Sequence, residues 1–105
     1  MNIEPILKEF KQQIAELYGQ RLKKVVLYGS YARDQANDEH SDIDLAVVLD
    51  GTVEPCKEID RMIDIITDLN LEHNILIAVY PVSEINFEKV NSPLLINVRE
   101  EGITV

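Results

Sequence analysis

The sequence predicts an α+β (or α/β) domain: a small mixed β-sheet with helices packed mainly on one face. Three observations lead there. Helix-period and strand-like apolar segments alternate along the chain, the hydrophobic fraction of 46% suits a globular core, and 105 residues leave no room for two stable cores. One domain spanning residues 1–105 is expected.

The elements follow in order. Ile3, Ile6, Leu7, Phe10, Ile14 and Leu17 recur at helical spacing, with Pro5 suited to the first turn and Gly19 to the residue after the last, so a helix is expected from about Pro5 to Tyr18. Leu22–Tyr28 reads as a strand ending at Gly29, and Tyr31 to Ala36 as a short helix before a polar loop, Asn37 to Ser41. Asp42–Leu49 is a second strand, and Asp50-Gly51 a turn. Ile59, Met62, Ile63, Ile66 and Leu69 form one stripe of a helix over about Pro55–Leu69. Ile75–Val82 is strand-like, with Pro81 pointing to a sheet edge. Ser83 suits the cap of a short helix to about Val90. Pro93 opens a last helix, Gly102 closes it, and Ile103–Val105 returns as a short strand. A dinucleotide-binding sheet fits less well, because no GxGxxG turn is present.

Charge narrows the function. With 19 acidic and 10 basic residues the formal charge is -9, which repels an extended nucleic acid but permits a metal-screened nucleotide or a basic protein partner. No apolar run approaches the ~20 residues of a membrane span, and the N-terminus lacks the basic start of a signal peptide. Cys56 stands alone, so neither a disulfide within the chain nor a cysteine zinc site is expected. A cytoplasmic protein is the expectation, with self-association left open.

The chemistry concentrates in LYGSYARDQANDEHSDIDLAVVLD, residues 27–50. Alternation along a strand puts Asp42 and Asp44 on one face, about 7 Å apart along the chain. Aspartate is a poor strand former and like charges on one face repel, so the arrangement asks for a counter-charge; Mg²⁺ takes one or two carboxylates together with phosphates and water. Gly29 and Ser30 occupy the strand-to-helix turn just before, where a glycine admits a phosphate to the backbone, the N-terminus of the following helix supplies N–H donors and positive dipole, and the hydroxyl adds a hydrogen bond. Taken alone, Gly-Ser is an ordinary turn and Asp-Ile-Asp an exposed strand end. In this order, between apolar strands, the two together favour phosphoryl or nucleotidyl transfer by positioning and charge neutralisation.

This segment resembles the GS…DxD signature of the DNA polymerase β-like nucleotidyltransferase superfamily. Length, element order and the ending SPLLINVREEGITV resemble its minimal nucleotidyltransferase branch, whose members are often antitoxins beside a HEPN-domain toxin. The resemblance implies a nucleotidyltransferase fold, phosphate contacts from Gly29 and Ser30, and a phosphate-reaching role for Arg33. It also implies Mg²⁺ bound and catalysis carried by Asp42 and Asp44, ATP as substrate, and AMP transferred to a protein hydroxyl of a HEPN-type toxin. The spacer Tyr31–Ser41 is one residue longer than the branch commonly has, and Asp34 stands where many relatives have glycine. Active relatives often add a third carboxylate from the strand after the second long helix; here that strand reads NILIAVYPV, with Glu72 before it and Glu84 after. Two alternatives stay open beside the enzyme: an inactive or weak antitoxin that neutralises its partner by contact, and a small-molecule nucleotidyltransferase.

Lesser candidates have plain readings. Lys23 and Lys24 read as edge-protecting charges, His40 as an exposed loop residue with base or metal ligand as the alternative, and His73 as unassigned. Tyr28 and Tyr31 read as core, with base stacking the alternative, and Cys56 as buried. Exposed parts of the Leu94–Val98 helix offer a docking face.

Overall fold

The structure, a computed structural model, describes residues 2–36 and 42–105. The elements are α1 (Glu4–Tyr18), β1 (Leu22–Tyr28), β2 (Ile43–Leu49), α2 (Pro55–His73), β3 (Ile77–Ser83), α3 (Glu84–Lys89), α4 (Pro93–Glu101) and β4 (Ile103–Thr104). The sheet order is β3-β2-β1-β4, and the sheet is mixed: β1 runs antiparallel to both β2 and β4, whereas β2 and β3 are parallel, joined through α2.

Alternation along β2 divides the core. Ile43, Leu45, Val47 and Leu49 face α1 and α2, packing with Phe10, Ile14, Met62 and Leu69. Ala46 and Val48 face the other way, with Val26, Val82, Phe87, Leu95 and Val98 beneath α3 and α4. The two long helices thus share one face, and the two short ones close the other. Burial on both sides explains the apolar run Leu45–Leu49 of this central strand, each large side chain contributing roughly 1.5–3 kcal/mol.

Helix ends follow local chemistry. Pro5 lies in the first turn of α1, and Gly19 with φ 56 ends it in a conformation that glycine adopts without strain. Ser83 Oγ accepts from the Asn86 N–H and Ser92 Oγ from the Leu95 N–H, capping α3 and α4. Pro81 sits on β3, an edge strand, as its missing donor requires.

Four expectations need correction. Tyr31 to Asp34 form a turn rather than a helix: the Arg33 N–H donates to Gly29 O, but Asp34 at φ 56 stops propagation. α2 runs four residues beyond Leu69, and its inward face is Glu58, Met62, Ile66 and Leu69, so Ile63 is exposed. Leu17 is likewise exposed, Tyr18 taking the inward place. Lys24 lies on β1 short of the Val26–Leu27 stretch that β4 pairs with, and its ammonium sits over the Phe87 ring, 4.4 Å from the centroid. Cys56, in the outer first turn of α2, is exposed. The polar loop and His40 lie outside the described residues.

Candidate functional site

β1 ends where β2 begins, and their antiparallel register sets Tyr28 opposite Asp44. The chain leaves β1 through Gly29 at φ 73, a left-handed conformation that costs other residues about 1–2 kcal/mol. Sterics demand glycine a second time: a Cβ there would overlap Asp44 Oδ2 and come within 3.1 Å of Asp44 Cγ. The glycine turn and the acidic pair therefore touch, across fifteen residues of sequence.

The turn braces itself. The Gln35 N–H donates to Ser30 O at 2.9 Å, and Arg33 Nε donates to Gln35 Oε1 at 3.2 Å. Arg33 also pairs with Glu101 at the end of α4, Nη1 to Oε2 at 3.5 Å. A helix N-terminus is not part of this cradle, because the turn does not continue as a helix. Gly29, Ser30, Arg33, Asp42 and Asp44 are nonetheless brought to one end of the sheet.

Electrostatics bind them further. Burial raises the Asp44 carboxyl above its usual range, the charge of Asp42 raises it again, and the Arg33 guanidinium opposes both. Asp42 is exposed just before β2, while Asp44 is half-buried within it. Tyr28 is pushed up to about 12 by burial, then by the charges of Asp44 and Tyr80. Among the described residues, two carboxylates thus repel each other while the Arg33 guanidinium acts on Asp44. Hard oxygen donors in this state, beside an apolar sheet, fit a divalent cation such as Mg²⁺.

The neighbouring strand carries no acid at this place. Ala78 is the register partner of Asp44 on β3, and Tyr80 follows on the same face. Glu84 lies beyond the far end of β3, after Ser83 has paired with Leu49. Glu72 belongs to the opposite face, where it clusters with Glu9 and His73, all three donor atoms lying within 4.8 Å of one another. His73 Nε2 lies 3.4 Å from Glu9 Oε2, a partner across α1 and α2 that sequence spacing does not reveal. Glu101 and Tyr80 also escape sequence reading, since only tertiary packing brings them to the turn and the acids.

Comparison with known proteins agrees with this architecture. The profile of the nucleotidyltransferase domain family matches residues 7–104. A Methanocaldococcus jannaschii protein named "Putative protein adenylyltransferase MJ0604" is 39% identical over 97% of this chain and 96% of its own length. A second protein of that organism, bearing the same description, is 37% identical over 74% of this chain and 77% of its own. Among solved structures, a chain of a toxin–antitoxin complex with AMP-PNP superposes with a TM-score of 0.64 at 18% identity, covering 99% of this chain and 72% of that one. A chain of the toxin–antitoxin complex MntA-HpeT gives 0.61 at 17%, covering 99% and 71%. At such identities these two structures speak for the fold alone. Family profile and full-length relatives together place the chain in the nucleotidyltransferase domain family.

Proposed function

We propose that this protein transfers AMP from ATP to a hydroxyl of a partner protein, in the cytoplasm, and that the partner is a toxin it restrains. The observation that carries this reading is the contact of Gly29 with Asp44, which joins the glycine turn to the acidic pair. The full-length match to relatives named as protein adenylyltransferases supports the reaction, and the fold shared with toxin–antitoxin chains supports the partner. A HEPN-type toxin is the partner that the sequence resemblance implies.

In the reaction an acceptor oxygen bonds to the α-phosphorus of ATP, the bond to pyrophosphate breaks, and the hydroxyl proton is released. Asp42 and Asp44 would hold Mg²⁺, which when bound supplies charge neutralisation at the phosphates. Gly29 keeps the turn free of a side chain so that the Asp44 carboxylate can lie against it, Ser30 offers its hydroxyl as a donor, and Arg33 offers a guanidinium suited to phosphate oxygens. These groups act chiefly by orientation, holding the triphosphate at the sheet end while the partner presents its hydroxyl.

The experiment combines labelled ATP, Mg²⁺, the protein and the product of a neighbouring toxin gene. Label should appear on the partner and vanish with Asp42→Asn plus Asp44→Asn. Label that survives this double change sinks the enzyme reading. A second reading, neutralisation by contact alone, is favoured by Ala78 standing beside Asp44 where a third carboxylate would act. It predicts a partner that is silenced without being labelled.

A further inference from the structure

We propose that Glu101 is an internal competitor for the nucleotide: its carboxylate occupies the Arg33 guanidinium that a triphosphate takes over on binding. The inference rests on the nucleotide reading given under Proposed function and adds a regulator of affinity to it.

Arg33 Nη1 and Glu101 Oε2 are 3.5 Å apart, with side chains 40% and 46% exposed. A half-exposed pair of this kind contributes little to folding and is readily exchanged. Arg33 meets Glu101 through one 3.5 Å contact, whereas phosphate oxygens can take a guanidinium through paired charge-assisted hydrogen bonds. Arg33 Nε also donates to Gln35 Oε1 within the turn, which leaves Nη1 directed at Glu101.

Glu101 itself sits on a fixed base. Leu95 and Val98 bury one side of α4, and Arg99 Nη1 donates to Phe87 O and Val90 O, each at 2.7 Å. Just beyond, Gly102 packs so tightly that a Cβ would overlap Val26 Cγ1 on β1 and the Val98 carbonyl. β1 is the strand that delivers Gly29, so the acid and the turn share one rigid mount. Folding stability does not explain a carboxylate here. Asp42 and Asp44 already load this end of a chain of formal charge -9, and Glu101 engages the same guanidinium that acts on Asp44.

Equilibrium binding of a non-hydrolysable ATP analogue with Mg²⁺ tests the idea, using wild type, Glu101→Gln, Arg33→Gln and the double variant. Glu101→Gln should tighten binding about three- to tenfold at low salt, the effect shrinking as ionic strength rises. In the Arg33→Gln background the same change should alter affinity by less than about twofold, since the contested group is gone. In transfer assays Glu101→Gln should lower the KM for ATP and leave kcat in place. Binding by Glu101→Gln that equals wild type, or is weaker, overturns the competitor, as does tightening of equal size without Arg33. Wild type that fails to bind the analogue sinks the nucleotide reading itself, a different failure.

Discussion

The two ends of the sheet each withdraw a carboxylate from water, and they treat it in opposite ways. At the end where β1 begins, Glu58 is buried in the first turn of α2 and surrounded by compensation. The Tyr18 hydroxyl donates to its Oε1 at 2.8 Å, Arg61 lies at 3.5 Å and Arg21 at 3.6 Å. Arg21 is itself held, donating to the Asp50 and Thr52 carbonyls and lying over the Tyr18 ring at 5.6 Å. At the end where β1 stops, Asp44 faces a second acid, Asp42, and one opposing cation, Arg33, which is shared with Glu101. A buried charge that serves the fold is neutralised by the fold, because removing one partner of such a pair is costly. Among the described residues, the charge left in excess at Asp42 and Asp44 is where the proposed metal and nucleotide would act.

Breaking that contrast at the acidic end gives the largest effect. Asp42→Asn with Asp44→Asn should lower AMP transfer about a thousandfold, several kcal/mol of charge stabilisation at ~1.4 kcal/mol per tenfold. The metal-free double variant should melt at the same temperature as wild type or higher, since repulsion has been removed. A drop in melting temperature would mean that the acids serve the fold after all. Gly29→Ala comes next. It forces φ 73 on alanine and drives a methyl into Asp44 Oδ2, so stability should fall by about 2 kcal/mol and transfer at least about tenfold. Chemical denaturation and the labelling assay read the two losses separately.

The compensated end should show the converse. Glu58→Gln keeps the shape and a Tyr18 acceptor while losing two ion pairs to arginines that are a third to a half exposed. A cost of about 1 kcal/mol in stability, with transfer unchanged, is expected. Loss of transfer in a fully folded Glu58→Gln protein would show the two ends to be coupled.

The sequence reveals these ends unequally, for physical reasons. Asp42 and Asp44 stand out because strands alternate and aspartate has no propensity reason to be there. Gly29 is legible as a strand terminus, although its contact with Asp44 emerges only from the antiparallel register. The turn after it reads as helix because YARDQA is rich in helix formers, yet Asp34 can adopt the left-handed region and does so. Glu58 is missed because the apolar stripe Ile59, Met62, Ile63, Ile66 and Leu69 gives a charged residue no place inside. Its partner Tyr18 is 40 residues away and cannot enter a local pattern. The Arg33–Glu101 pair spans 68 residues and is hidden for the same reason.

The smallest effect, nil at neutral pH, compares a tyrosine at each end. Burial raises the Tyr18 hydroxyl well above its ordinary value, helped by the hydrogen bond to Glu58. Burial likewise pushes Tyr28 up to about 12, helped by Asp44. An unfolded tyrosine loses its proton near pH ~10, so above that point the native state binds more protons than the unfolded chain. The contribution of both groups is fully present below pH ~10 and is lost as pH climbs through the folded values. Tyr18→Phe and Tyr28→Phe should each flatten part of this alkaline decline in stability. The carboxylates then separate the two ends. In metal-free protein, Asp44→Asn should lower the tyrosinate titration of Tyr28 and leave Tyr18 in place, while Glu58→Gln should do the reverse. Ultraviolet tyrosinate absorbance in single-tyrosine-to-phenylalanine backgrounds assigns each step. An Asp44→Asn titration that superposes on wild type would show that the Asp44 charge does not reach Tyr28, and the picture of an uncompensated acid at this sheet end would fall with it.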